Sequence, residues 1–142
     1  MQQLIKYLLL LLLPIISSAN HVHWLGNYDK ALQQAKKENK PLLVFVVKKD
    51  SVLSHNIIKN KFMNQPYVDT INEKFIAVMV TYNGRTSYPI EMYYTTVFPA
   101  LFFINTQTET FMREPMYGEQ ILQLSLLQYS LLFLPKIKSQ QH

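Results

Sequence analysis

The feature that most constrains this chain is the run Leu42–Val47, LLVFVV, which has no polar residue on either face. Six residues are too few for a buried helix, and Val and Phe suit a pleated backbone. A strand apolar on both faces needs cover on both sides, as in a parallel or mixed sheet beneath helices. Phe75–Thr81, FIAVMVT, supplies a second central strand of the same kind. The chain is therefore expected to build a layered α/β domain around these two runs.

Helical signals surround them. Asn27 caps a helix over Tyr28–Glu38, where Tyr28, Ala31, Leu32 and Ala35 recur at helical spacing, and Asn39, Lys40 and Pro41 stop it. After Lys48–Asp50, either Asp50 or Ser51 caps a second helix whose inward stripe is Leu53, Ile57, Ile58 and Phe62. Pro66 starts a further short helix to Asn72 with Tyr67, Val68 and Ile71 inward. Asn83-Gly84 marks a turn, and Pro89–Tyr94 reads as a short helix. A turn at Asn105–Thr108 joins Pro99–Ile104 to Glu109–Arg113 as an antiparallel pair. The last helix is expected from Gly118 to about Phe133, and Pro135 releases a polar tail.

Composition removes several classes of function. Hydrophobic residues make up 49% and charged ones 16%, which excludes a disordered chain or a solvated coiled coil. Cysteine is absent, so disulfides, thiolate metal sites and thiol nucleophiles are excluded. Three glycines leave little from which to build a phosphate-binding loop. The net charge of +5 comes from scattered lysines interrupted by Asp29, Glu38 and Asp50, so no nucleic-acid partner is expected, and no cofactor is expected.

The first nineteen residues carry the three-part pattern of a secretory signal: Lys6, the apolar run Tyr7–Ile16, then Ser17 and Ala19 before a cut. Ten apolar residues span about 15 Å as helix, half of the roughly 30 Å hydrocarbon layer. The reading is a signal peptide at 1–19, a domain at 20–134 and a polar tail at 135–142. The mature protein is placed in the periplasm or outside the cell. Membrane contact is expected only if the N-terminal segment is retained. His21 and His23, just after the expected cut, are the weak candidates for a metal site; nothing resembles HExxH or an EF-hand loop.

Trp24, Ala31, Lys40-Pro41-Leu42-Leu43-Val44-Phe45, the helix from Ser51, Phe75–Thr81 and Val97-Phe98-Pro99-Ala100-Leu101-Phe102-Phe103-Ile104 together resemble a thioredoxin-fold domain. More narrowly, the chain is similar to exported thioredoxin-like proteins related to the C-terminal domain of the bacterial disulfide interchange protein, over about residues 24–133. The resemblance implies a central mixed sheet of about four strands flanked by helices. It also implies a Cys-x-x-Cys opening the helix after Leu42–Val47, where this chain has Ser51-Val52-Leu53-Ser54. The proline facing that motif, normally after a cis bond, is Pro99, and the buried acid six residues earlier is replaced by Phe45.

Thiol–disulfide exchange needs a thiolate, and a serine hydroxyl neither ionises near neutral pH nor forms a mixed disulfide. The resemblance therefore implies a kept fold without its own dithiol chemistry. Ser51 beside His55 lacks an evident acid to orient the imidazole and lies in no G-x-S-x-G elbow, so no catalytic residue is assigned. What the resemblance leaves is a non-catalytic protein of the cell envelope. It binds a protein or peptide partner through Ser51, Ser54, His55, Phe98, Pro99, Tyr93 and Tyr94. The alternatives are an accessory of thiol–disulfide exchange whose partner supplies the thiols, or N-terminal metal binding. The loop tyrosines Tyr82, Tyr88, Tyr93, Tyr94 and Tyr117 either pack the cap of the domain or present an amphipathic binding surface.

Overall fold

The computed structural model describes residues 2–5, 21–85 and 87–133. The apolar run Tyr7–Ile16, the expected cut after Ala19 and the tail 135–142 lie outside the described residues. In chain order the elements are β1 (Trp24–Leu25), α1 (Tyr28–Glu38), β2 (Leu42–Val47), α2 (Val52–Ile57) and a π-turn (Ile58–Phe62). There follow α3 (Gln65–Lys74), β3 (Ile76–Thr81), β4 (Ala100–Asn105), β5 (Thr110–Phe111), β6 (Met116–Tyr117), a 3₁₀ turn (Gly118–Gln123) and α4 (Leu126–Leu131).

The sheet is mixed, in the order β1-β3-β2-β4-β5, with β6 also on β4. β2 runs parallel to β3 and antiparallel to β4, so Val44 faces Val78 on one side and Phe102 on the other. A parallel pair needs a crossover, which α2, the π-turn and α3 provide. Three strands are six residues long and three are two residues long. The expected mixed sheet flanked by helices is present, its six strands including three two-residue ones beside the three long ones. The short ones carry too few residues to show a period, and their pairing with β3 or β4 alone defines them.

Alternation along the strands divides the core in two. Leu43, Phe45, Ala77, Leu101 and Phe103 belong to one layer with Ile57, Phe62, Val68, Ile71, Ile121 and Tyr129 from the helices. Leu42, Val44, Val46, Val78, Val80, Phe102 and Ile104 belong to the other, with Tyr28, Ala31 and Ala35 of α1 and with Tyr93. This is why the runs are apolar at every position. Full burial of one such side chain contributes about 1.5–3 kcal/mol.

Local chemistry sets most boundaries. The Asn27 side chain accepts from the Lys30 N–H, and Asn39 closes α1 in the left-handed conformation. Two expectations need correction. Residues 89–94 form a hydrogen-bonded turn, with Met92 N and Tyr93 N donating to the Pro89 carbonyl, rather than a helix. The C-terminal helix is broken at Leu124, because Ser125 and Gln128 make reciprocal cap bonds that start α4 afresh. In the second helical stripe, Ile57 and Phe62 are buried while Leu53 and Ile58 are only partly so. Among the described residues no helix is long and apolar enough to cross a membrane.

Candidate partner-binding site

The site lies where β2 ends and β4 begins. Lys48 and Lys49 leave the sheet, and Asp50 takes φ 60, a left-handed conformation that Asp tolerates better than branched residues. This reversal delivers Ser51 as the cap of α2, with its Oγ accepting from Ser54 N–H at 3.1 Å. The Ser51 carbonyl receives the His55 backbone N–H at 3.3 Å and lies 2.9 Å from His55 Nδ1. Since a carbonyl only accepts, Nδ1 carries the proton in this contact. The imidazole is thus bonded to the carbonyl of Ser51 and not to its hydroxyl, so the pair is no nucleophile–base dyad.

Ser54 is turned inward at 4% exposure, and its Oγ finds no hydrogen-bond partner among the described residues. Phe45, where the resemblance implies a buried acid, is fully buried; its ring lies 5.1 Å from that of Phe62 and 5.7 Å from that of Trp24. An aromatic cluster therefore fills the region where a proton-transferring carboxylate would sit.

The second half of the site is residues 97–99. The Phe98–Pro99 bond is cis, as the resemblance implied, and Pro99 is buried with its carbonyl accepting from Gly118 N–H at 2.8 Å. The Phe98 ring packs on Tyr82 at 5.0 Å, with Lys48 Nζ 5.9 Å from its centre. Thr95 Oγ1 donates to the Val97 carbonyl at 2.6 Å and accepts from Val97 N–H at 3.0 Å, which satisfies that residue's backbone. Among the described residues the backbone of Phe98 makes no such bond.

Gly118 joins the two halves. It sits at φ 55, and a Cβ there would lie 3.4 Å from Val97 Cγ1 and 3.9 Å from Leu53 Cδ2. The start of α2 and the loop before Pro99 thus meet over a glycine. Around them Val52 is 75% exposed, Tyr94 67% and Val97 51%. Apolar side chains with that exposure form a surface rather than a core.

The structure therefore brings Ser51, His55, Phe98 and Pro99 to one end of the sheet, with Tyr94 exposed in the loop leading to them. Tyr93 is corrected: it is a core residue, 1% exposed, with its Oη 2.6 Å from that of Tyr28 and its ring 5.1 Å from Phe102. Burial drives its ionisation far above the ordinary range, and no partner can reach it. Tyr88 is half-buried, and burial likewise raises its ionisation. Ser54 is also withdrawn from contact, because α2 turns it toward the sheet. Val52, Leu53, Val97 and Gly118 carry more of the site than their sequence signals suggested. The available sign was Val52, an apolar residue that falls outside the inward stripe of Leu53, Ile57, Ile58 and Phe62. His21 and His23 stand at the opposite end of the sheet, ahead of β1.

A family model described as "Thioredox_DsbH: Protein of unknown function, DUF255" matches residues 11–112. No curated protein matches the chain. Among solved structures, the chain is similar to one titled DsbH Oxidoreductase, at 19% identity and TM-score 0.56 over 76% of this chain and 89% of that one. It is also similar to a thioredoxin from Thermus thermophilus, at 12% identity and TM-score 0.57 over 69% and 76%. A disulphide isomerase from Xylella fastidiosa Temecula1 matches at 19% identity and TM-score 0.53 over 73% and 84%. At these identities the structural likeness speaks for the fold alone.

Proposed function

Because this chain belongs to the DsbH-like thioredoxin family, we propose that it is a redox-inactive member of the cell envelope that holds an extended protein segment against its Ser51/Pro99 face. The observation that carries the reading is that the face keeps the parts of a recognition site where the thiols are gone. Leu53 and Val97 converge over Gly118, Val52 and Tyr94 stand exposed beside them, and the Phe98 backbone is left unbonded among the described residues. An extended segment laid along Phe98 gains main-chain hydrogen bonds, and its alternate side chains meet the apolar lip. Serines in place of both cysteines prevent such a complex from being resolved or trapped by disulfide exchange. Placement in the envelope rests on Lys6, the run Tyr7–Ile16 and the Ser17/Ala19 pair, the pattern of a cleaved export signal.

Short unstructured peptides screened against ¹⁵N-labelled protein test the reading. Binders are expected to shift the resonances of Val52, Val97 and Phe98. The pair Val52→Asp with Val97→Asp is expected to lower affinity about tenfold or more, equivalent to about 1.4 kcal/mol, without changing Tm. Binding that maps to another face, or that ignores the two aspartates, overturns the reading. Export is tested separately by intact mass: Asn20 as the first residue supports it, and a full-length cytoplasmic product overturns it.

A further inference from the structure

We propose that His21 and His23 form a chelating pair for a borderline divalent transition ion, Cu(II) above all, at the end of the sheet opposite Ser51. The backbone builds the pair. Val22 is 1% exposed and inserts into the core layer that holds Val68, Ile71 and Phe75. With Val22 anchored inward, a tight turn in which Trp24 N–H donates to the Val22 carbonyl at 2.9 Å leaves the flanking His21 and His23 side chains exposed. Both imidazoles are exposed, and their ring centres lie 5.9 Å apart at an interplanar angle of 77°. With metal–nitrogen bonds of about 2.0–2.1 Å and a ring centre about 1.2 Å behind the nitrogen, two imidazoles on one ion hold their centres within about 6.5 Å. The observed spacing falls inside that limit, so the two rings are already within the reach of one shared ion.

The segment is also held in place. Asn72 Nδ2 donates to the His21 carbonyl at 3.1 Å, and Asn72 Oδ1 accepts from His23 N–H at 2.9 Å. One carboxamide at the end of α3 thus bridges the backbone on both sides of Val22. A backbone that is already held limits the freedom lost when the side chains bind. On the His23 side lies a hollow of about 210 Å³, lined also by Glu38 and Asn72.

The donor set selects the ion. Imidazole suits copper, zinc and nickel, and affinity for divalent first-row ions culminates at Cu(II). The chain has no cysteine to favour Cu(I), and no group of three or more His, Asp or Glu among the described residues offers a metal cage. The remaining positions on the ion are taken by water or by a group that a partner brings.

The test is a calorimetric titration of the full chain with CuCl₂, followed by electron paramagnetic resonance. One equivalent of Cu(II) is expected, with hyperfine structure from two imidazole nitrogens. His21→Ala and His23→Ala are each expected to weaken binding by about tenfold or more, since losing a ligand costs at least as much as losing an outer-shell partner. His142→Ala is expected to leave it unchanged. Both variants lie on exposed positions and are expected to keep the circular dichroism of the parent. Absence of a one-equivalent site, a spectrum with a single imidazole, or an affinity that either variant leaves unchanged overturns the proposal.

Discussion

Ser51 and Ser54, which stand where the family carries its two cysteines, are joined by one bond: the Ser51 Oγ accepts the backbone N–H of Ser54 at 3.1 Å. The two hydroxyls nevertheless do opposite things. That of Ser51 closes the start of α2, whereas that of Ser54 is buried and without a partner among the described residues. A buried thiol at the second position would have had no such unmet demand, because sulfur is a weak hydrogen-bonding group.

Substituting each serine by alanine is therefore expected to move stability in opposite directions. Ser51→Ala removes a cap and is expected to cost about 1 kcal/mol. Ser54→Ala removes an unsatisfied buried hydroxyl, whose desolvation costs about 1–3 kcal/mol, and is expected to stabilise the fold by about 1 kcal/mol. Urea denaturation of both variants checks this, and a destabilised Ser54→Ala would count against it.

The purified protein is expected to reduce insulin disulfides no faster than a buffer blank, since it has no sulfur nucleophile. Ser51→Cys with Ser54→Cys is expected to restore only slow exchange, because Phe45 still occupies the acid position and lies against Phe62 and Trp24. Turnover in a standard insulin turbidity assay by the unmodified chain would contradict the first expectation, and rapid turnover by the double variant the second.

The buried hydroxyls of Tyr28 and Tyr93, 2.6 Å apart, satisfy each other across the layer beneath α1. Tyr28→Phe or Tyr93→Phe alone strands the other hydroxyl and is expected to cost about 1–3 kcal/mol. The double substitution is expected to cost less than the sum of the two, which a double-mutant cycle measures directly.

The same burial predicts alkaline unfolding. Burial raises the ionisation of Tyr93 and Tyr129 far above the ordinary value of 10; it also raises Tyr28, where the hydrogen bond shared with Tyr93 pulls the other way. The folded state keeps protons that the unfolded chain loses, so stability is intact below pH 10 and falls as the pH rises above it. The urea midpoint is expected to be flat between about pH 8 and 9.5 and to decline beyond. Tyr28→Phe with Tyr93→Phe is expected to shallow that decline.

Gly118→Ala places a side chain at φ 55 and 3.4 Å from Val97 Cγ1. The left-handed backbone alone costs a residue with a Cβ about 1–2 kcal/mol. The variant is expected to lose that much stability in urea and to displace the methyl resonances of Val97 and Leu53. A neutral substitution with unmoved resonances would show that the glycine is not what joins the two halves of the site.

The sequence by itself determined the elements whose causes are local. Asn27 and Asn39 place helix ends through their own side chains or backbone, the start of α2 was narrowed to Asp50 or Ser51, the LLVFVV and FIAVMVT runs declare doubly covered strands, and Asn83-Gly84 and Asn105–Thr108 declare turns. It also determined the lack of dithiol chemistry, since no fold can supply a missing sulfur. The break before α4 also has a local cause, the Ser125-x-x-Gln128 pair, which the expectation of one helix from Gly118 to about Phe133 leaves out. Tertiary structure alone decided which loop tyrosine turned inward, because the hydroxyl that receives Tyr93 belongs to Tyr28, 65 positions away. It decided β1 and β6, two residues each, by the edges of β3 and β4 that they complete. And it decided that Val97 and Leu53 meet over Gly118, because a surface assembled from distant segments has no periodicity along the chain and exists only once the core has brought its pieces together.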